Sequence, residues 1–127
     1  MCLPVHEYPL VKAILSKAQA HARDNGARRV RRIALVVGEQ SGYVPDSIQM
    51  YFDLFAGETL CAGATLDIRR IKPKLRCPAC DTLFERKPFR FDCPVCGTDG
   101  VPTEIGREFF IESIDIERGD GVSESPL

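Results

Sequence analysis

Four cysteines carry the clearest chemistry in the sequence. Cys77-Pro-Ala-Cys80 and Cys93-Pro-Val-Cys96 stand twelve residues apart, and each pair is spaced so that one tight turn can aim two thiolates at a single ion. Four thiolates around a divalent metal leave no position for water or substrate, so a structural zinc at Cys77, Cys80, Cys93 and Cys96 is expected and hydrolysis is not. Rubredoxin-like iron takes the same ligands, but Asp81 follows the first pair where Gly97 follows the second, which argues against matching turns. Disulfides are the remaining alternative, and nothing in the sequence suggests export. Such a cluster is net negative; Arg76, Arg86, Lys87 and Arg90 are placed to offset it, and Phe84, Phe89 and Phe91 to pack beside it. Cys61 reads as a small core residue.

Other chemistry-bearing residues are sparser. Arg28, Arg29, Arg31 and Arg32 form the one dense basic run, but without interleaved aromatics it reads as a solvated face, and nucleic acid is not expected as a partner. His21 lies among polar residues and suits a surface or half-buried place; Glu39 and Asp46 are acids that could approach His6. No Ser/His/Asp or Cys/His set, phosphate-binding glycine loop or carboxylate pair can be assembled, so the protein is not expected to be an enzyme.

The elements that must position these groups follow from periodicity. Leu10, Val11, Ile14, Leu15, Ala18 and Ala22 recur at helical spacing, predicting a helix over about 8–25 that ends at Asn25-Gly26. Val30 to Val37 and Leu66 to Ile71 read as strands, with a second amphipathic helix between them opening at Pro45 and ending at Gly57. Residues 73–103 hold four cysteines, five prolines and several aromatics with no period, and Arg107 to Glu117 then resumes strand-like alternation. The expected fold class is α+β: a three-stranded mixed sheet from about 30–37, 65–72 and 106–117, flanked by two helices, with an inserted zinc-ribbon-like module built on the four cysteines. The expected domains are 1–72 plus 104–117, a zinc-binding domain 73–103 that needs its metal to fold, and a disordered polar tail 118–127.

Composition bounds the rest. The 127 residues are 44% apolar and 28% charged with a formal charge of -1, which fits a globular chain and supplies no overall field toward nucleic acid or anionic lipid. The longest apolar run, Ile33 to Val37, is far short of a membrane span, and Met1 to Leu10 has no secretory pattern. A cytoplasmic monomer or homodimer, with no membrane partner, is expected.

Taken together in order, Val5-His6-Glu7-Tyr8 opening a helix, Val36-Val37-Gly38-Glu39 before a second helix, then Cys77-x-x-Cys80 and Cys93-Pro-x-Cys96 resemble the HypA/HybF hydrogenase-maturation nickel metallochaperones over roughly residues 5–117. The resemblance implies that Ni2+ is carried as cargo near the N-terminus, at His6 and with Glu7 as a further candidate ligand, beside a structural Zn2+. It implies as partners a maturation GTPase and the [NiFe]-hydrogenase large subunit, with urease accessory proteins as an extension.

Family members begin Met-His-Glu, and an imidazole one residue from a free amine closes chelate rings through the intervening amide nitrogen, a field that nickel(II) accepts and zinc gains nothing from. Here Val5 stands at the family's Met position. A GUG codon at position 5 can initiate translation as Met, restoring Met-His-Glu. If Met1-Cys2-Leu3-Pro4 is retained, Pro4 has no amide proton, nitrogen ligation stops at Val5, and the Cys2 thiolate is the group to complete the set.

Overall fold

The computed structural model describes residues 7–119 and the backbone of 121–126; Cys2 and His6 lie outside the described residues. The chain order is α1 (Glu7–Asp24), β1 (Arg29–Gly38), α2 (Pro45–Phe55), a 3-10 turn at Ala56–Glu58, β2 (Thr65–Ile71), β3 (Lys74–Arg76), β4 (Leu83–Glu85), β5 (Val101–Pro102), β6 (Phe109–Arg118) and β7 (Gly121–Pro126). Two compact units result, one of residues 1–36, 43–69 and 110–127, the other of 37–42 and 70–109.

In the first unit, α1 buries Val11, Ile14, Leu15, Ala18 and Ala22, the stripe its spacing predicts. It stops where the Ala27 amide donates to Ala22 O at 2.8 Å and the Gly26 amide to Arg23 O at 3.1 Å, with Gly26 at φ 67. That double bond pattern needs a left-handed residue, which Gly supplies without steric cost. Pro45 opens α2, which buries Ile48, Tyr51 and Phe52. The two helices meet through Tyr8, whose ring packs edge-on against Tyr51 at 5.9 Å and Phe55 at 5.1 Å.

The sheet has the order β2-β1-β6-β7. Central β1 is buried continuously from Ile33 to Gly38, as a strand covered on both faces must be. The Val30 amide donates to Leu60 O and the Glu39 amide to Ile71 O, so β2 runs parallel to β1 after the α2 crossover. The Arg28 amide donates to Glu117 O and the Gly38 amide to Glu108 O, so β6 is antiparallel. The sheet is therefore mixed, and the chain does return to it after the cysteine-rich segment.

The expected disordered tail, 118–127, is corrected by the structure. Gly121–Pro126 forms β7, antiparallel to β6, with Arg118 opposite Gly121 and Ser113 opposite Pro126. In the sequence, Gly-Asp between two such segments is a hairpin signal. The expectation weighed only apolar burial, whereas an edge strand can be held by the backbone groups its neighbour offers. A fourth strand thus joins the three expected.

In the second unit β4-β3-β5 form a small sheet, Leu75 of β3 lying opposite Phe84 and Pro102. Its buried cluster is Leu75, Cys77, Phe84 and Cys93, two of the four being cysteines. A Cβ on Gly100 would lie 2.5 Å from Phe84 Cζ, so the chain closes over this core only at a glycine. So little apolar area cannot offset the ordering of forty-odd residues, so cross-linking must supply the difference.

Candidate metal centre

Two copies of one turn build the centre. In the first, the Cys77 amide donates to Thr82 O at 2.9 Å and the Asp81 amide to Cys77 O at 2.8 Å; in the second, the Cys93 amide donates to Thr98 O at 2.8 Å and the Gly97 amide to Cys93 O at 2.9 Å. The first copy is flanked by the Arg76–Leu83 pair of the β3–β4 hairpin, the second by a bridge between Asp92 and Asp99. Asp81 takes φ 64 and Gly97 φ 79, so the turns match despite the difference in residue. Asp is among the few side chains that tolerate this region, and the sequence argument against iron from Asp81 therefore fails.

The four Sγ atoms lie within 4.8 Å of one another, Cys77 to Cys96 being 3.2 Å and Cys80 to Cys93 3.6 Å. A tetrahedral zinc with Zn–S bonds of about 2.3 Å requires sulfurs about 3.8 Å apart, which falls inside that spread. All five described cysteines are free thiols, which sets the disulfide alternative aside for them. The donor set therefore fits a closed tetrathiolate metal.

In the folded turns, hydrogen bonds grade the thiols. The Thr98 hydroxyl, 3.5 Å from Cys96 Sγ, and the Thr98 amide draw that thiol down to about 6. Thr82, 3.1 Å from Cys80 Sγ, lowers Cys80 in the same way. At Cys77 the Cys80 amide favours the thiolate, but burial and the neighbouring Cys96 sulfur outweigh it and push the group up to about 11. Thr82 and Thr98 were missed in the sequence, although Cys-Pro-x-Cys-x-Thr occurs in both half-sites.

The expected basic surround is different in the structure. Arg76 pairs with Asp81 at 3.2 Å and Arg90 with Asp92 at 2.8 Å, while Arg86 lies over the Phe91 ring at 5.0 Å. Charge relief at sulfur comes instead from the threonines and from the amides of Cys80 and Val95, 3.5 and 3.4 Å from Cys77 Sγ and Cys93 Sγ. Phe84 is buried as expected, but Phe89 is 98% exposed and Phe91 half exposed.

The other candidates separate cleanly. Glu7 is fully buried at the start of α1, and its Oε1 accepts the Val44 amide at 2.9 Å. Val44 is the N-cap of α2 and has no side-chain cap of its own, so this carboxylate serves the helix N-terminus. Asp46 sits in the first turn of α2, and the Glu39 amide is bonded to Ile71 O. His21 is half-buried in the last turn of α1. The basic run is offset by acids: Arg28 and Arg31 reach Glu117 at 3.1 and 3.7 Å, and Arg32 reaches Asp67 at 2.6 Å and Asp115 at 3.7 Å. Cys61 is fully buried, and burial pushes its thiol up, as befits an inert core residue.

A mixed-sheet α+β fold whose chain is interrupted by a paired tetrathiolate turn defines a small metal-handling protein. Among known families the profile of HypA, described as hydrogenase/urease nickel incorporation, metallochaperone, matches residues 5–116, and the chain belongs to that family. It is thereby a nickel metallochaperone of hydrogenase maturation. The hydrogenase maturation factor HypA of Caldanaerobacter subterraneus subsp. tengcongensis is 33% identical over 114 residues, 89% of this chain and 100% of that protein. That of Dehalococcoides mccartyi strain 195 is 36% identical over 113 residues, covering 89% and 95%. The solution structure of the Ni metallochaperone HypA from Helicobacter pylori is similar with a TM-score of 0.59 at 27% identity, over 88% of this chain and 97% of that one.

Proposed function

We propose that this chain receives Ni2+ at its amino-terminal segment through His6 and passes it to the [NiFe]-hydrogenase large subunit with a partner GTPase, in the cytoplasm and without catalysis. The observation that carries this reading is the closed tetrathiolate. Four mutually adjacent sulfurs saturate one metal and leave no exchangeable position, so the cargo needs a second, labile set of ligands. His6 within the matched residues 5–116 supplies the imidazole for a square-planar nitrogen field. Glu7 is the further candidate ligand, and its bond to the Val44 amide holds the residue beside His6 in place.

At Cys77, Cys80, Cys93 and Cys96 the reading is structural zinc. The matching turns suit tetrathiolate iron equally well, and metal analysis with an absorption spectrum separates them: the zinc protein is colourless, the ferric protein red.

Delivery is tested in the host from which the chain derives, with its own copy replaced by His6→Ala or by the unaltered gene. The expected result is a large subunit without nickel in the His6→Ala strain while the purified variant still holds one zinc. Normal nickel content in the large subunit of that strain would remove the site from this end of the chain.

A further inference from the structure

The second unit has a cleft of about 420 Å³ in which no cysteine takes part. Lys72, Lys74 and Arg86 line it, with Glu39, Glu85 and the ring of Phe91. Elsewhere the arginines are largely matched with acids, as Arg32 is with Asp67 and Asp115 and Arg69 with Glu112. Among the described residues Lys72, Lys74 and Arg86 make no ion pair. Arg86 instead lies on Phe91, which fixes its guanidinium plane and leaves its N–H donors for a ligand.

Arg86 and Phe91 bracket a tight turn at the rim of this cleft. The Arg90 amide donates to Lys87 O at 3.0 Å, Pro88 takes the second position, and Phe89 the third at φ 62. That position favours Gly. Phe89 is nevertheless a bulky residue and 98% exposed, so neither local geometry nor burial accounts for it. Strain of this kind collects where a ligand is gripped.

We propose that the cleft and turn dock an acidic segment of the polypeptide that is to receive the metal, its carboxylates meeting Lys72, Lys74 and Arg86 and an apolar side chain meeting Phe89. The inference rests on the delivery reading above. An empty site for a divalent cation is a cluster of anionic ligands, and a chain still lacking its metal has not finished folding, so it exposes apolar segments beside negative charge. Cations around a rigid aromatic anchor complement that surface. Glu39 and Glu85 in the same lining repel a continuous polyanion such as a nucleic-acid backbone or an anionic bilayer, and suit the N–H donors of a peptide.

The test measures binding of the zinc-loaded full chain to the nickel-free hydrogenase large subunit of the same host by biolayer interferometry. Compared are the parent, Phe89→Gly, the double variant Lys72→Glu/Arg86→Glu, and Lys17→Glu as a control for surface charge. Glycine suits the turn better than phenylalanine, so Phe89→Gly should melt no lower than the parent, and its loss of binding cannot be assigned to unfolding. The expected result is a Kd at least about tenfold weaker for Phe89→Gly and for the double variant, with Lys17→Glu unchanged. Parent-like binding by both altered proteins overturns the docking surface and leaves the delivery reading standing. No binding by the parent overturns the delivery reading and this inference with it. Variants that keep the large subunit but lose the partner GTPase, anionic vesicles or RNA assign the surface to another occupant and equally overturn it.

Discussion

Glu7 shows how one side chain can be bound to structure and sit beside function. Its buried Oε1 holds the Val44 amide, the first donor of a helix whose cap residue supplies no side-chain oxygen. Glu7→Ala strands that amide and should lower stability by about 1–3 kcal/mol, whereas Glu7→Gln keeps a carbonyl acceptor and should lose less; urea titrations of both variants check this. Equal losses would contradict the bond. Nickel affinity lost in Glu7→Gln with stability retained would mark the carboxylate as a ligand too. The cysteines make a second prediction at this scale. The unit that carries them cannot hold its turns without the metal, so in metal-free protein all four are ordinary thiols, largely protonated at neutral pH. Zinc uptake should therefore release about four protons, and affinity should fall as pH falls. Calorimetry in buffers of different ionisation enthalpy reads the count, and a release of about two or fewer at neutral pH would contradict a fold that depends on its metal.

Among the elements, the paired turns and the close crossing of the β1 end are the ones a substitution can probe. Cys93→Ser removes one of four ligands from a unit whose buried cluster is half cysteine, and should release zinc and raise hydrogen exchange across 70–109. Stoichiometric zinc with unchanged exchange would contradict it. Gly38→Ala would drive its methyl into the Gly106 carbonyl, because Gly106 at φ 102 brings the backbones together. A loss of more than about 1 kcal/mol is expected in thermal melts, where an open site would tolerate the same change. The sequence showed Gly38 only as a strand end, since two glycines far apart in the chain reveal nothing of their contact. The helices were legible because their apolar positions keep one period over many residues, and β1 because its apolar run from Ile33 to Val37 is unbroken. β7 was not, because pairing at an edge leaves a weak side-chain pattern. Likewise the four cysteines announce their site by spacing alone, while Phe89 sits in an ordinary-looking Pro-Phe pair whose exposure only the folded chain reveals.

For the whole molecule, the proposed function divides the labour between two metals: a saturated thiolate site for fold, and a nitrogen set at His6 for cargo that must leave again. Charge supports this economy of partners. The basic run that hinted at nucleic acid is met by Glu117, Asp67 and Asp115, and no helix among the described residues is long and apolar enough to cross a membrane. Nickel binding through His6 without disturbance of the tetrathiolate is measured by a nickel titration of the zinc-loaded chain, unaltered and as His6→Ala, followed by absorbance and by zinc release. Chains beginning at Met1 and at position 5 are both titrated, the latter with Met in place of Val5. Expected are one nickel per chain for the unaltered protein, a diamagnetic square-planar spectrum, no zinc released, and loss of that nickel in His6→Ala. Nickel bound equally well by His6→Ala in both forms, or bound only as zinc is displaced from the cysteines, would contradict it.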